Sequence, residues 1–125
     1  MHNIFVYGTL MKGFRNHVAL LGSKCISSDA ILEGYALYSV GPYPAIVEEA
    51  GEKVRGELYK VSNMKIKTLD MIEGEGFLYK RTPVKVKAGD KEIDGETYVY
   101  LQDVSDLKKI PFEDQPWRVE YAKYY

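Results

Sequence analysis

Cysteine is nearly missing from this sequence, because Cys25 is the single cysteine among 125 residues. One thiol cannot form an intramolecular disulfide, so a disulfide-stabilised scaffold is excluded. Soft metal ligands are scarce as well: His2 and His17 are the two histidines, and they do not form a ligand-spaced cluster with Cys25. The sequence therefore predicts no metal site.

An excess of charge of one sign and long apolar runs are also missing. Lys and Arg number 17 against 18 Asp and Glu, which gives a formal net charge of −1. This balance lacks the basic surface that nucleic acids or anionic membranes attract. No stretch approaches the roughly 20 apolar residues of a membrane-spanning helix, and the strand-like run at residues 3–7 has no signal-peptide features before it. We expect a cytoplasmic protein with no nucleic-acid partner and no membrane partner.

What is present is typical of an ordinary globular protein. Hydrophobic residues make up 46% of the chain and charged residues 28%, as in most folded domains. A length of 125 residues is close to the commonest size of one domain. We therefore expect a single domain over residues 1–125, present as a monomer or a weak homodimer.

Strands dominate the predicted secondary structure. A short apolar run from Ile4 to Tyr7 ends at Gly8, as expected of a buried strand. Residues 41–44 hold two prolines and predict an irregular loop, and the tail from residue 103 predicts loop and short turns. Apolar or alternating runs predict four further strands, at residues 30–40 with an interruption at Gly34, 53–61, 82–88 and 95–101, the last two joined by a turn at Gly89-Asp90.

Two helices are predicted between these strands. Asn16 is a candidate N-cap for a short helix over residues 18–21. A longer helix is expected from the N-cap Ser62 to about Glu73, where Gly74 ends it. Many strands with two interrupting helices and hairpin-length connections predict an α+β fold, in which a mixed sheet curls into a small β-barrel.

One carboxylate of the longer helix is placed where charge is disfavoured. At about 100° per residue, Ile66, Leu69 and Ile72 fall on one side of the helix, and this apolar stripe is expected to face the core. Glu73 projects from the middle of the stripe, and both burial and the negative end of the helix dipole raise its pKa. Glu73 is thus a candidate acid or base. The alternative is a frayed helix end from which Glu73 turns to solvent or pairs with Arg81.

A second candidate feature is the glycine turn at residues 6–10. A strand that ends in such a turn offers several backbone N–H groups, which bind a carboxylate or phosphate without a basic side chain. Gly8 and Gly13 have the spacing of a phosphate-binding P-loop, but Phe14 and Arg15 stand where that motif needs Lys and then Ser or Thr. Nucleotide hydrolysis is therefore not expected, and a plain turn without a ligand is the other interpretation.

Three short motifs occur in order along the chain: VYGTL at residues 6–10, LDMIEG at 69–74 and LYKR at 78–81. The first two are more specific together than either alone. With GPYPA at residues 41–45, the strand at 54–59 and Trp117-Arg118, they resemble the γ-glutamylcyclotransferase-like family, in particular its γ-glutamylamine cyclotransferase branch.

This resemblance implies a small β-barrel with two to three flanking helices, no cofactor and a small-molecule γ-glutamyl substrate. It implies that Glu73 is the catalytic acid/base and that Tyr7, Gly8, Thr9 and Leu10 bind substrate. The implied reaction is attack of the substrate α-amine on its own γ-carbonyl, which releases 5-oxoproline and a free amine. Two alternatives stay open: a non-catalytic binding module of the same fold for a carboxylate-bearing metabolite, and a phosphate- or nucleotide-binding protein.

Other side chains near Glu73 have two possible roles each in this interpretation, lining the pocket or supporting the fold. Tyr79 and Arg81 share one strand face and are possible pocket-lining residues, although Arg81 is expected rather as a structural partner. Tyr43, in the proline-containing loop, is a candidate wall of the pocket, with simple packing as the alternative. Asp70 and Glu75 are expected at the surface.

Overall fold

Most of the chain folds into β-strands. The computed structural model describes residues 1–123. Its strands pair mainly in two antiparallel hairpins, the longer of β2 with β3 and the shorter of β4 with β5. The expected α+β fold with predominant strands is confirmed. The strands of the described residues are β1 (His2–Val6), β2 (Lys24–Ser39), β3 (Pro44–Val61), β4 (Tyr79–Ala88), β5 (Lys91–Tyr100) and β6 (Lys108–Ile110).

The strand pairings close into a ring. The strands follow the order β3-β1-β5-β4-β2, and β2 in turn pairs with β3, which closes the ring. β1 is antiparallel to β3 but parallel to β5, where Phe5 lies opposite Thr97. β6 lies outside the ring and pairs with the end of β2. This ring is the small mixed β-barrel that the sequence predicts, and β1 closes it between two hairpins that come later in the chain.

The α-helix α1 (Asn63–Glu73) connects the two hairpins. Its N-cap is Ser62, whose hydroxyl accepts a hydrogen bond from the backbone N–H of Lys65 at 3.1 Å. Its C-cap is Gly74, which adopts the left-handed conformation with φ of 60°. A side chain disfavours that conformation, so a glycine ends the helix here. Both predicted ends of the helix are confirmed.

The remaining helical segments are short 3₁₀ helices. Asn16 precedes the first of them but does not cap it, because its side-chain Nδ2 donates to Thr9 Oγ1 at 2.9 Å. The predicted short helix is thus present as a 3₁₀ turn, and the predicted cap is wrong. No helix within residues 1–123 combines the length and apolarity needed to cross a membrane. The three 3₁₀ helices of the described residues are His17–Leu20, Phe112–Asp114 and Val119–Lys123.

The long hairpin extends further than the sequence predicts. β2 begins at Lys24 and β3 at Pro44, so the predicted starts at residues 30 and 53 are wrong. These segments lack regular apolar alternation, but cross-strand pairing continues through them and keeps them extended. The predicted interruption at Gly34 is a bulge, with a register shift and a φ of 86°.

The core unites the barrel, the helix and the C-terminal tail. Ile66 and Leu69 of α1 belong to the same buried cluster as Phe5 of the barrel. Trp117 is 1% exposed, and its ring packs against Phe14 with centroids 5.3 Å apart. The tail, predicted as loop and short turns, is therefore part of the core. Anchoring α1 to the barrel in this way fixes the C-terminal end of the helix, where Glu73 lies.

Candidate active site

The C-terminal end of α1 meets the turn after β1 around a small cavity. This inner cavity has a volume of about 20 Å³, room for about one water molecule. An outer cavity of about 220 Å³ adjoins it and shares Thr9, Tyr43, Glu73 and Tyr79 with it. The inner cavity is lined by residues from five places in the chain: the 5–10 segment, Tyr43 and Pro44, Glu73, Tyr79 and Tyr98.

Glu73 faces both cavities without a partner in the protein. The helix places it beside the buried Ile66 and Leu69, as its spacing predicts. Among residues 1–122, no group donates a hydrogen bond to its carboxylate and no cation lies within ion-pair distance. Burial disfavours the charged carboxylate and no partner offsets this effect, so the pKa of Glu73 is raised to about 7. A carboxyl group with this pKa can both accept and donate a proton near neutral pH.

The raised pKa also predicts how stability depends on pH. Between the ordinary pKa of about 4.5 and the folded-state value of about 7, the native protein holds a proton at Glu73 that the unfolded chain has lost. The free energy of unfolding therefore falls as pH rises through this window, by on the order of 3 kcal/mol from this group. We expect Glu73→Gln to match the wild type near pH 4 and to be more stable near pH 8, as measured by urea denaturation at both pH values. Equal stability at pH 8 would show that Glu73 is solvated.

Two of the tyrosines around Glu73 already donate their hydroxyl protons to backbone carbonyls. The hydroxyl of Tyr7 donates to the Tyr98 carbonyl at 2.5 Å, and that of Tyr79 donates to the Pro44 carbonyl at 2.7 Å. Burial first, and the Glu73 carboxylate next, raise the pKa of Tyr79, so its phenol stays protonated. Among these side chains, Glu73 is therefore the one able to exchange protons near neutral pH.

Backbone donors supply the other half of the site. Within the described residues, the backbone N–H groups of Gly8, Thr9 and Leu10 donate no hydrogen bond to a protein acceptor, while the Gly8 carbonyl accepts from Met11 N–H at 3.0 Å. Thr9 and Leu10 are 8% and 2% exposed. Buried N–H groups are nearly always paired, so unpaired ones that line a cavity are suited to binding an anion. The sequence predicts backbone donors in this turn, and the geometry agrees with that prediction.

Gly8 is required here for close approach and not for an unusual backbone angle. It is not among the glycines with positive φ. An added Cβ would lie 2.7 Å from Cδ and 2.8 Å from Cγ of Pro44, well inside van der Waals contact. The turn and the start of β3 thus pack tightly at the mouth of the inner cavity. The loop then leads to a 3₁₀ helix of four residues, whereas a P-loop opens a full α-helix.

Tyr43 and Tyr79 do line the cavities, whereas Arg81 does not. The Tyr43 and Tyr79 rings lie 6.4 Å apart in an edge-on arrangement. Arg81 instead binds Asp70 through Nε at 2.9 Å and Glu96 through Nη1 at 2.8 Å. Arg81 is therefore a structural partner of Asp70 and Glu96, as expected, and it does not pair with Glu73.

The expectation that Asp70 lies at the surface is wrong. Its side chain is 24% exposed, and it accepts hydrogen bonds from Arg81 and from the Tyr98 hydroxyl, the latter at 2.7 Å. Glu75 is exposed, as expected, although it accepts from the Arg81 backbone N–H at 3.0 Å. Asp70 lies one helical turn before Glu73, so these bonds fix the end of α1 against β4 and β5.

Tyr98 is the site residue that the sequence interpretation missed. A signal for it exists, because the two-residue turn at Gly89-Asp90 fixes the register of the hairpin and places Tyr98 opposite Arg81. Within residues 1–123, no three His, Cys, Asp or Glu side chains group closely enough to hold a metal ion.

The fold and this site agree with one protein family. Residues 4–119 match the family model described as gamma-glutamyl cyclotransferase, AIG2-like. The chain therefore belongs to this family of cyclotransferase-type enzymes, and the resemblance carried by the three sequence motifs is confirmed.

Individual relatives cover nearly the whole chain. It is similar to the gamma-glutamylcyclotransferase family protein YtfP of Escherichia coli, with 32% identity over 89% of this chain and 93% of that protein. It is 33% identical to the gamma-L-glutamyl-butirosin B gamma-glutamyl cyclotransferase of Niallia circulans, over 98% of this chain and 81% of that one. Its fold is similar to the crystal structure of a mouse AIG2-like protein, with a TM-score of 0.75 at 23% identity, covering 95% and 86% of the two chains.

Proposed function

We propose that this protein is a γ-glutamyl cyclotransferase that converts a γ-glutamyl amine or γ-glutamyl amino acid into 5-oxoproline and a free amine. The observation that carries the proposal is the unpartnered Glu73 carboxylate, which faces the cavities with its pKa raised to about 7 by burial. The unpaired backbone donors of residues 8–10 beside it, and membership of the family, support the same reaction.

The reaction needs few protein groups because the substrate contains its own nucleophile and electrophile. The α-amine attacks the γ-carbonyl carbon, the new C–N bond closes a five-membered lactam, and the bond to the leaving nitrogen breaks. Holding the chain folded on itself supplies the proximity that makes this ring closure fast. One proton leaves the attacking amine and one joins the leaving amine, so no water is consumed. Glu73 carries that proton from one nitrogen to the other.

The donors of the turn bind the charged end of the substrate. The α-carboxylate lies on the N–H groups of residues 8–10 at the mouth of the inner cavity, and the rest of the substrate extends past Glu73 into the outer cavity. In this arrangement the turn fixes the α-amine beside Glu73. Because backbone N–H groups alone can bind an anion, no lysine is needed at the inner cavity.

A mass-spectrometric assay for 5-oxoproline tests the function directly. The panel contains γ-glutamyl amines, γ-glutamyl amino acids and the ε-(γ-glutamyl)lysine isopeptide. We expect 5-oxoproline from at least one member, and none from the same compound after acetylation of its α-amine, because acetylation removes the nucleophile. If no member reacts while 5-oxoproline or glutamate raises Tm, the non-catalytic binding module is the better interpretation.

A further inference from the structure

The outer cavity carries a cation whose charge the protein does not balance. Among the described residues that line it, Arg15 is the one basic side chain and Glu73 the one acidic side chain. Arg15 is exposed at the rim, whereas Glu73 is partly buried at the inner end. The Glu73 carboxyl group therefore lies at the inner end of the outer cavity, and the permanent positive charge of Arg15 lies at its rim.

A hydrogen bond holds the Arg15 side chain beside this cavity. Its Nη1 donates to the Pro42 carbonyl at 3.1 Å, which ties the guanidinium to the connection that carries Tyr43. No carboxylate within residues 1–123 lies at ion-pair distance from Arg15. A guanidinium has five N–H donors, so this single bond leaves most of them available to a ligand.

Part of the lining of the outer cavity is apolar. Ile72, which the sequence predicts in the core, is 40% exposed and lines the outer cavity together with Leu78. The prediction for Ile72 is thus wrong, and its side chain contributes to the site instead. A group that enters the outer cavity thus has both apolar carbon atoms and a guanidinium available to contact.

We propose that Arg15 is a specificity-determining residue that binds a carboxylate on the leaving amine. The proposal rests on the cyclotransferase reaction, which places the leaving amine in the outer cavity once the α-carboxylate occupies the 8–10 turn. A guanidinium binds a planar carboxylate through parallel N–H donors, a stronger arrangement than a neutral hydrogen bond. The substrates preferred are therefore γ-glutamyl amino acids or peptides, and leaving amines with a second positive charge near Arg15 are disfavoured.

Two substrates that differ by one carboxylate test the inference. γ-Glutamylalanine and γ-glutamylethylamide have the same γ-glutamyl group, and ethylamine is alanine without its carboxylate. We expect the wild type to turn over γ-glutamylalanine with a kcat/KM about 10-fold higher, in keeping with a charge-assisted hydrogen bond at a partly exposed rim. We expect Arg15→Gln to remove this preference by lowering kcat/KM for γ-glutamylalanine, with a smaller effect on γ-glutamylethylamide. Equal wild-type rates, or an equal loss on both substrates, would overturn the inference.

Lys12→Gln is the matched control. Lys12 lies in the same loop, is exposed and lines neither cavity. Its substitution therefore removes one positive charge, as Arg15→Gln does, at a position that does not contact the substrate. We expect this variant to keep the wild-type preference. If Lys12→Gln lost the preference as well, general charge and not Arg15 would be responsible.

Binding separates this inference from the reaction itself. In Glu73→Gln, which holds substrate without the acid/base group, we expect γ-glutamylalanine to raise Tm more than the ethylamide does, and we expect Arg15→Gln in the same background to abolish that difference. Equal Tm shifts in Glu73→Gln reject the role of Arg15 even if the enzyme is active. A carboxylate-dependent shift with no turnover by the wild type rejects the proposed reaction and retains the role of Arg15 in binding.

Discussion

Glu73→Gln is expected to lower turnover by roughly 10²-fold or more, the usual effect of losing an acid/base group. The amide keeps the size of the side chain but cannot carry the proton between the two nitrogens. The neighbouring tyrosines do not replace it, because the hydroxyls of Tyr7 and Tyr79 donate to backbone carbonyls. Release of 5-oxoproline under single-turnover conditions measures the chemical step directly.

Glu75→Gln is the control for this substitution. Glu75 lies two residues further on, is exposed and lines neither cavity, and the amide oxygen of glutamine still accepts from the Arg81 backbone N–H. We expect it to keep wild-type turnover. Full activity in Glu73→Gln, with the fold intact by circular dichroism, would refute Glu73 as the proton carrier whatever the substrate.

Gly8→Val is expected to abolish binding of 5-oxoproline and to lower turnover by about 10²-fold or more, the range seen when reacting groups are displaced by about 1 Å. The new Cβ would lie 2.7 Å from Cδ of Pro44, so the turn must move away from β3. That movement displaces the N–H donors of residues 8–10 relative to Glu73. Isothermal titration with 5-oxoproline measures the loss.

Two further variants separate displacement of the turn from loss of the fold. Thr9→Ser keeps the hydroxyl that accepts from Asn16 and is expected to be mild. Gly8→Ala combined with Pro44→Ala removes the two ring carbons that the Cβ meets and is expected to bind better than Gly8→Ala alone. If Thr9→Ser were the more damaging change, the side chains of the turn rather than its backbone would bind the anion.

Local sequence signals predict the parts of the site that depend on one element. Ser62 and Gly74 mark the ends of α1, because caps satisfy backbone groups within the helix itself. Helical periodicity also places Glu73 correctly: with 3.6 residues per turn it lies about 10° from the midpoint of Ile66 and Leu69. The same geometry puts Ile72 about 90° from that midpoint, which explains its exposure at the rim.

The features that were missed depend on contacts between elements. Asp70 was expected at the surface because nothing in the helix shows that Arg81 of β4 and Tyr98 of β5 meet it. The early starts of β2 and β3 come from pairing with the far ends of the opposite strands, residues 58–60 for β2 and 35–39 for β3, which apolar alternation does not reveal. Cavity walls such as Pro44 and Arg15 become visible when distant loops are brought together by the barrel.

The closed ring of strands makes the site dependent on late steps of folding. β1 is the first strand of the chain, but β5, with which it pairs in parallel, is the last strand of the ring, and the Tyr7–Tyr98 hydrogen bond joins residues 91 positions apart. Contacts of such long sequence separation carry a large loop-closure entropy and form slowly. A nascent chain therefore has no partial site: the turn at residues 8–10, Glu73 and the tyrosine walls come together when the ring closes. Assembly of the candidate site and completion of the native topology are then one event.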